Sequence, residues 1–229
     1  MLFRELRDVW GLAYALHSLA YLEWQTGDLL HARPIFEEAF RLKRSVDDLW
    51  GLAGNLRSLG MLELEAAQAT GDFGRSIELL EESLGYFRNL GTHQFWAVPS
   101  ILLGLGRAAS YQGEYARAVY LTQEAFSLCK KWELKPGEIF QCVWNLAELA
   151  MLQGQEYSAT MYYGALAAAV HNDPMVLEAE KQSHLSQIQA QLLQKQNQNE
   201  LCRAWKQGIA MAIEEIGDLV NNQDNGWAK

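Results

Sequence analysis

The 229-residue sequence predicts an all-α fold, a solenoid of about four helix pairs closed by a C-terminal helical cap, and three observations carry that prediction. Trp10-Gly11-Leu12-Ala13 returns as Trp50-Gly51-Leu52-Ala53, with a weaker copy at Phe95-Trp96-Ala97-Val98, so the tryptophans stand 40 and 46 residues apart. A second marker keeps step: Gly27-Asp28, Gly71-Asp72, Gly113-Glu114 and Gly154-Gln155 are separated by 44, 42 and 41 residues. Within each unit apolar residues recur at three and four positions, as in Leu12, Leu16, Leu19 and Ala20, or Ile77, Leu80, Leu84 and Phe87, and no segment alternates like a strand.

Taken in chain order, residues 1–8 align with Phe40 to Asp48 before the second Trp-Gly, so the chain is expected to open in the last turns of a helix B whose own helix A is missing. That expectation makes this polypeptide the C-terminal piece of a longer protein, with an apolar face at its first repeat that a preceding unit would cover. Repeats are expected at about 9–47, 48–91, 92–131 and 132–171. In each, a leucine followed by a small residue (Leu19-Ala20, Leu59-Gly60, Leu105-Gly106, Leu146-Ala147) precedes the marker glycine by 8, 12, 8 and 8 residues, giving the second repeat one additional helical turn. The glycine ends helix A in the left-handed conformation, and the Asp28 or Asp72 that follows caps helix B. Five residues after each glycine stands Ala32, Ser76, Ala118 or Ala159, small enough for paired helices to approach closely. Beyond Asp173-Pro174, residues 172–220 read as capping helices: a Glu/Gln-rich one with Leu185, Ile188, Leu192 and Leu193 on one side, then an amphipathic one from about Leu201 to Val220. Residues 221–229 read as a flexible tail.

Composition narrows function. Lys and Arg number 19 against 28 Asp and Glu, a net charge of −9 with no basic run, which argues against direct nucleic-acid binding and against anionic membrane surfaces. The three cysteines, Cys129, Cys142 and Cys202, form no C-x-x-C pair, and the charged N-terminus shows no export signal, so a cytoplasmic location is expected. The most apolar stretch, Ile101 to Gly106, ends at Arg107 and is far below the ~18 residues a membrane span needs.

Leucine with Gly or Ala in helix A, Gly-Asp at the turn, alanine early in helix B and an aromatic such as Phe36 four residues later resemble the tetratricopeptide repeat. These units, at 40 to 46 residues, are longer than that repeat's ~34. Phe3-Arg4-Glu5-Leu6 followed by Trp-Gly-Leu-Ala, a Gly-Ala-rich last helix B and Trp205-x-x-Gly208-x-x-Met211 look like the C-terminal regions of bacterial regulators built around a STAND-class ATPase. These are the maltose-regulator-like, LuxR-type and SARP-like transcription factors, and some nucleotide cyclases. The resemblance implies a right-handed α-α superhelix acting as an interaction and sensor module, with ATPase and output domains elsewhere in the parent protein.

Motifs for catalysis are lacking: His17, His31, His93, His171 and His184 include no H-E-x-x-H, and there is no G-x-S-x-G and no Walker sequence. The expectation is therefore a non-enzyme with no cofactor and no metal. Trp10, Trp50 and Trp96 recur with the repeat and are expected in core or inter-repeat packing. In the tetratricopeptide register helix A lines the concave face, which places there Tyr14, His17, Tyr21 and Trp24, then Arg57 and Met61, then Leu103, Arg107 and Tyr111, and finally Gln141, Trp144, Asn145 and Glu148. Aromatics with a few donors suit a peptide, protein segment or inducer, or else the upstream domains of the parent. Asn145 is expected to present its amide to a bound backbone. The alternative expectation is a homodimer, assembled through the open N-terminal face or the last amphipathic helix.

Overall fold

A computed structural model of the chain describes residues 2–91, 97–174, 177, 179–194, 199–211 and 215. Trp96, the Leu192 and Leu193 side chains, the stretch beyond Met211 toward Val220 apart from Glu215, and the expected tail all lie outside the described residues. The described residues form helices and no strand: α1 (Leu2–Glu5), α2 (Val9–Gln25), α3 (Leu29–Ser45), α4 (Leu49–Thr70), α5 (Gly74–Leu90), α6 (Ala97–Tyr111), α7 (Tyr115–Lys131), α8 (Pro136–Leu152), α9 (Glu156–Asn172), α10 (Ala179–Gln194) and α11 (Asn199–Ala210). They divide into two compact units, Met1–Ala108 and Ala109–Lys229. Among the described residues no helix is long and apolar enough to cross a membrane.

The turns explain where the helices stop. Gly27 has φ 83° and closes α2 with two hydrogen bonds, its own N–H to Trp24 O at 2.9 Å and that of Asp28 to Glu23 O at 2.9 Å. This is a Schellman closure, which a residue without a Cβ enters at least cost. The same pair of bonds recurs at Asp47 (φ 51°), from Asp47 N to Arg44 O and from Asp48 N to Lys43 O, although a side chain must there accept the left-handed region. Three aspartates cap the helices that follow them: Asp28 Oδ1 accepts from His31 N at 3.1 Å, Asp48 Oδ1 from Gly51 N at 2.9 Å, and Asp8 Oδ1 from Gly11 N at 2.8 Å. The expected cap by Asp72 is corrected: the N-cap of α5 is Phe73, Asp72 accepts from Gly74 N two residues on at 3.1 Å, and Phe73, Glu114 and Gln155 make no side-chain cap bond.

In the first unit α3 lies against both α2 and α4, and α5 against α4. Its core gathers Ala20, Ala32, Phe36, Leu56, Leu59, Leu62 and Leu79, with a second cluster of Leu64, Ala67, Phe73 and Ala108. Helix α4 runs for 22 residues against 17 for α2, which locates the additional turn. All four small residues of helix B, Ala32, Ser76, Ala118 and Ala159, are buried. The buried Glu63 of α4 is met by Arg33 of α3, whose Nη2 donates to Oε2 at 2.8 Å while Nε lies 2.7 Å from Oε1. This charge-assisted hydrogen bond, with the guanidinium charge close to the second oxygen, offsets part of the desolvation of the carboxylate. Buried Asn55 donates to Phe36 O at 2.9 Å, and buried Ser83 to Ala53 O at 2.7 Å.

The glycine of each Trp-Gly-Leu-Ala motif has a packing reason. A Cβ on Gly11 would stand 2.6 Å from the Phe3 ring, and one on Gly51 would stand 3.0 Å from the Lys43 Cδ. Phe3 and Lys43 are themselves 40 residues apart, so the end of one helix crosses the start of the next at the same place twice.

In the second unit α7 packs on α8, α8 on α9, and α11 along α9. The α9–α11 contact runs backbone to backbone: a Cβ on Gly208 would fall 1.9 Å from Met161 O, and one on Gly164 would fall 2.4 Å from Trp205 O. The Trp205-x-x-Gly208 spacing is thus a seam between two helices, with Ala204 and Trp205 buried beside it. Cys129 and Cys142, far apart in sequence, are buried side by side as free thiols, and the hydrogen bond to Cys129 together with burial pushes the Cys142 thiol up.

Candidate functional site

The helix-A residues expected to share one surface fall into different environments. In the first unit, Tyr14 stands between two tryptophans, its ring 4.2 Å from that of Trp10 and 6.3 Å from that of Trp50. Of the expected core or inter-repeat packing, the core placement is corrected, since Trp10 and Trp50 are 56% and 40% exposed, while Trp50 does stack across the repeats on Tyr14. Both lie at the first turn of their helices, and Tyr14 links them. The buried Lys43 places its ammonium 4.6 Å from the Tyr14 ring centroid. Burial, with Asp48 beside the phenol, raises the Tyr14 pKa, and burial lowers that of Lys43 to about 8 against the pull of Asp48.

One turn further along α2, His17 is held in a polar and aromatic pocket. Its Nδ1 lies 3.0 Å from Asn55 Oδ1, and its ring meets Phe36 edge-on at 5.3 Å. Because the Asn55 amide nitrogen is committed to Phe36 O, the oxygen faces the histidine, so His17 donates from Nδ1. Burial first, then the Lys43 and Arg57 charges, lower its pKa to about 4 despite that hydrogen bond. Tyr21, 42% exposed, meets Trp24 edge-on at 5.7 Å, and the Trp24 indole N–H donates to Glu65 of α4. Arg57 donates to Ser100 Oγ at 3.3 Å. Met61 is corrected from a groove residue to the edge of the second core cluster, where its sulfur would meet a Cβ on Gly104 at 2.7 Å. Arg107 is half-buried on α6, and Leu103 is buried.

In the second unit the expected groove is occupied by the chain itself. The Lys181 ammonium of α10 donates to Gln141 and lies 5.6 Å from the Trp144 ring centroid. His184, one turn on, meets the same ring edge-on at 5.6 Å and approaches Tyr163 of α9 at 6.1 Å. Trp144 and Asn145 are therefore corrected: both are buried, and neither faces solvent as a peptide-clamping residue would. Spacing along α8 carried no information on what covers these residues.

Beside this contact lies a cavity of about 470 Å³ that no sequence motif marked. Glu148, Met151 and Leu152 of α8 form one wall, Glu156, Thr160 and Tyr163 of α9 another, and His184, Ile188 and Gln191 of α10 a third. Tyr111 and Leu201 complete it. Burial, reinforced by the Glu148 charge, raises the Tyr163 pKa and keeps its phenol protonated. Among the described residues no group of His, Cys, Asp and Glu is placed to hold a metal ion.

A family model described as Tetratricopeptide repeat matches residues 12–46, which span α2 and α3, the first helix pair. Among curated proteins none matches the chain. The chain is thus similar to the tetratricopeptide repeat over its first helix pair, and such repeats generally mediate protein–protein interaction.

Proposed function

We propose that this chain is the protein-interaction and signal-sensing module of a larger bacterial regulator, a transcriptional regulator, acting in the cytoplasm without catalytic activity of its own. Its partner is a peptide or protein segment that seats on the helix-A surface of the first unit. The observation that carries this reading is the row of rings along α2: Trp10, Tyr14, Tyr21 and Trp24, with Trp50 from α4, of which Trp10, Tyr21 and Trp50 are each at least 40% exposed. Large amphipathic rings fixed by their neighbours lose little entropy on binding, which is why Trp and Tyr dominate interface hot spots. The test is a photo-cross-linker placed at position 21, followed by titration of the cross-linked partner peptide against Tyr21→Ala and Trp24→Ala. At least tenfold weakening with unchanged helicity is the expected result; unchanged affinity in both variants would refute the surface.

A second reading is self-association through the outer face of α1 and α2. There Leu6, Leu19 and Leu22 are 66%, 44% and 62% exposed, whereas Leu59 and Leu62, forty residues on from Leu19 and Leu22, are buried with α3 and α5 packed on α4. Concentration-dependent sedimentation that disappears in Leu19→Glu/Leu22→Glu favours this assembly over the partner-peptide reading.

A further inference from the structure

We propose that the cavity of the second unit is a binding site for a cationic amphiphile, an aromatic or alkyl body carrying one protonated amine. This stands independently of the interaction surface on α2. At about 470 Å³ the cavity falls within the range of roughly 300–1,000 Å³ that encloses small organic ligands. Its apolar side chains, Met151, Leu152, Ile188 and Leu201, suit a hydrocarbon body and give a sugar or nucleotide few partners, since Thr160 and Gln191 supply the only neutral aliphatic hydroxyl and amide of the lining. The charged residues of that lining are both acidic, Glu148 and Glu156, with no lysine or arginine among them, so an anionic headgroup would be repelled and an ammonium attracted.

Aromatic faces strengthen the preference for a cation. Tyr163 and His184 border the cavity and meet Trp144 edge-on, and ring faces draw ammonium groups within about 6 Å. The protein already uses this chemistry at the adjoining contact, where Lys181 lies 5.6 Å from the Trp144 centroid. The cavity offers the same combination of ring and carboxylate on a larger scale. Because α10 forms one wall and also covers Gln141 and Trp144, a ligand seated here binds α8, α9 and α10 together and holds α10 in place.

Three probes with one body and different heads test the proposal on the full chain: 4-phenylbutylamine, 4-phenylbutan-1-ol and 4-phenylbutyrate, titrated by NMR and calorimetry. The amine is expected to bind saturably, about tenfold tighter than the alcohol, and the carboxylate weakest. Glu156→Gln, an exposed position at the start of α9, should weaken the amine several-fold and leave the alcohol unchanged. Ile188→Trp should fill the space and abolish binding of both, and circular dichroism of each variant confirms the fold. Equal binding of all three probes overturns the proposal, as does the absence of saturable amine binding. So does amine binding that survives Ile188→Trp in a folded protein.

Discussion

Helices α2 and α4 carry the same Trp-Gly-Leu-Ala from their second residue and differ in almost everything that packing decides. In α4 twelve residues are buried, including Leu52, Leu56, Leu59 and Leu62; in α2 only Gly11, Ala13 and Ala20 are. The local chemistry is shared: an aspartate cap, a left-handed residue before it, and a glycine where the preceding helix crosses. What differs is the neighbours, for α4 packs along α3 and α5, while α2 packs along α3 alone and meets the short α1 and α4 at only a few residues. A repeat motif therefore sets the start of a helix, and its burial comes from the helices on either side.

The sharpest way to break the comparison is a pair of truncations. Leu62→Ala, at a fully buried site, should cost about 2–5 kcal/mol, because it removes transfer energy and leaves a cavity. Leu22→Ala, forty residues earlier and 62% exposed, should stay within about 0.5 kcal/mol by denaturant titration. A loss at Leu22 comparable to that at Leu62, and growing with protein concentration, would mean that a second copy covers α2.

Acid should act next, and through α2 rather than α4. His17 has its folded pKa lowered from 6.5 to about 4, so the unfolded chain binds a proton in that window and the folded chain does not. The contribution is fully present above about pH 6.5 and is lost as pH falls toward 4, amounting to at most about 3 kcal/mol. Unfolding free energies at pH 7 and pH 4.5 should show a smaller difference in His17→Gln than in the parent chain.

The smallest effect lies in the turn between the two helix pairs. Asp47 holds φ 51° where the turn within the first pair uses Gly27, so Asp47→Gly should raise stability by up to about 1 kcal/mol. A thermal midpoint that falls would show that the Asp47 side chain compensates for its backbone.

Much of the fold was legible because turns and caps are local. Gly27, Gly71, Gly113 and Gly154 all have positive φ, and the small residues five positions later are all buried. Both follow from short-range rules about Cβ atoms and helix approach. The candidate site was far less legible. Tyr14, His17, Tyr21 and Trp24 do lie along α2 with their rings in contact with one another or with Trp10, Trp50 and Phe36. Yet the same counting placed Trp144 and Asn145 on an open face, and helical spacing reports direction without reporting cover. The Gly164–Gly208 seam had a signal, two glycines inside helical patterns, that periodicity alone passed over.

Residue order was enough for the helical class and the positions of the marker-glycine turns, since each depends on contacts within a few residues. Which tryptophans are exposed, that α10 rather than a partner lies on Trp144, that Cys129 meets Cys142, and that a cavity opens among Glu148, Tyr163 and His184 were settled by tertiary packing. The physical reason is the same for all four: burial is a property of what arrives from elsewhere in the chain, and a helical repeat states its own faces without stating its neighbours.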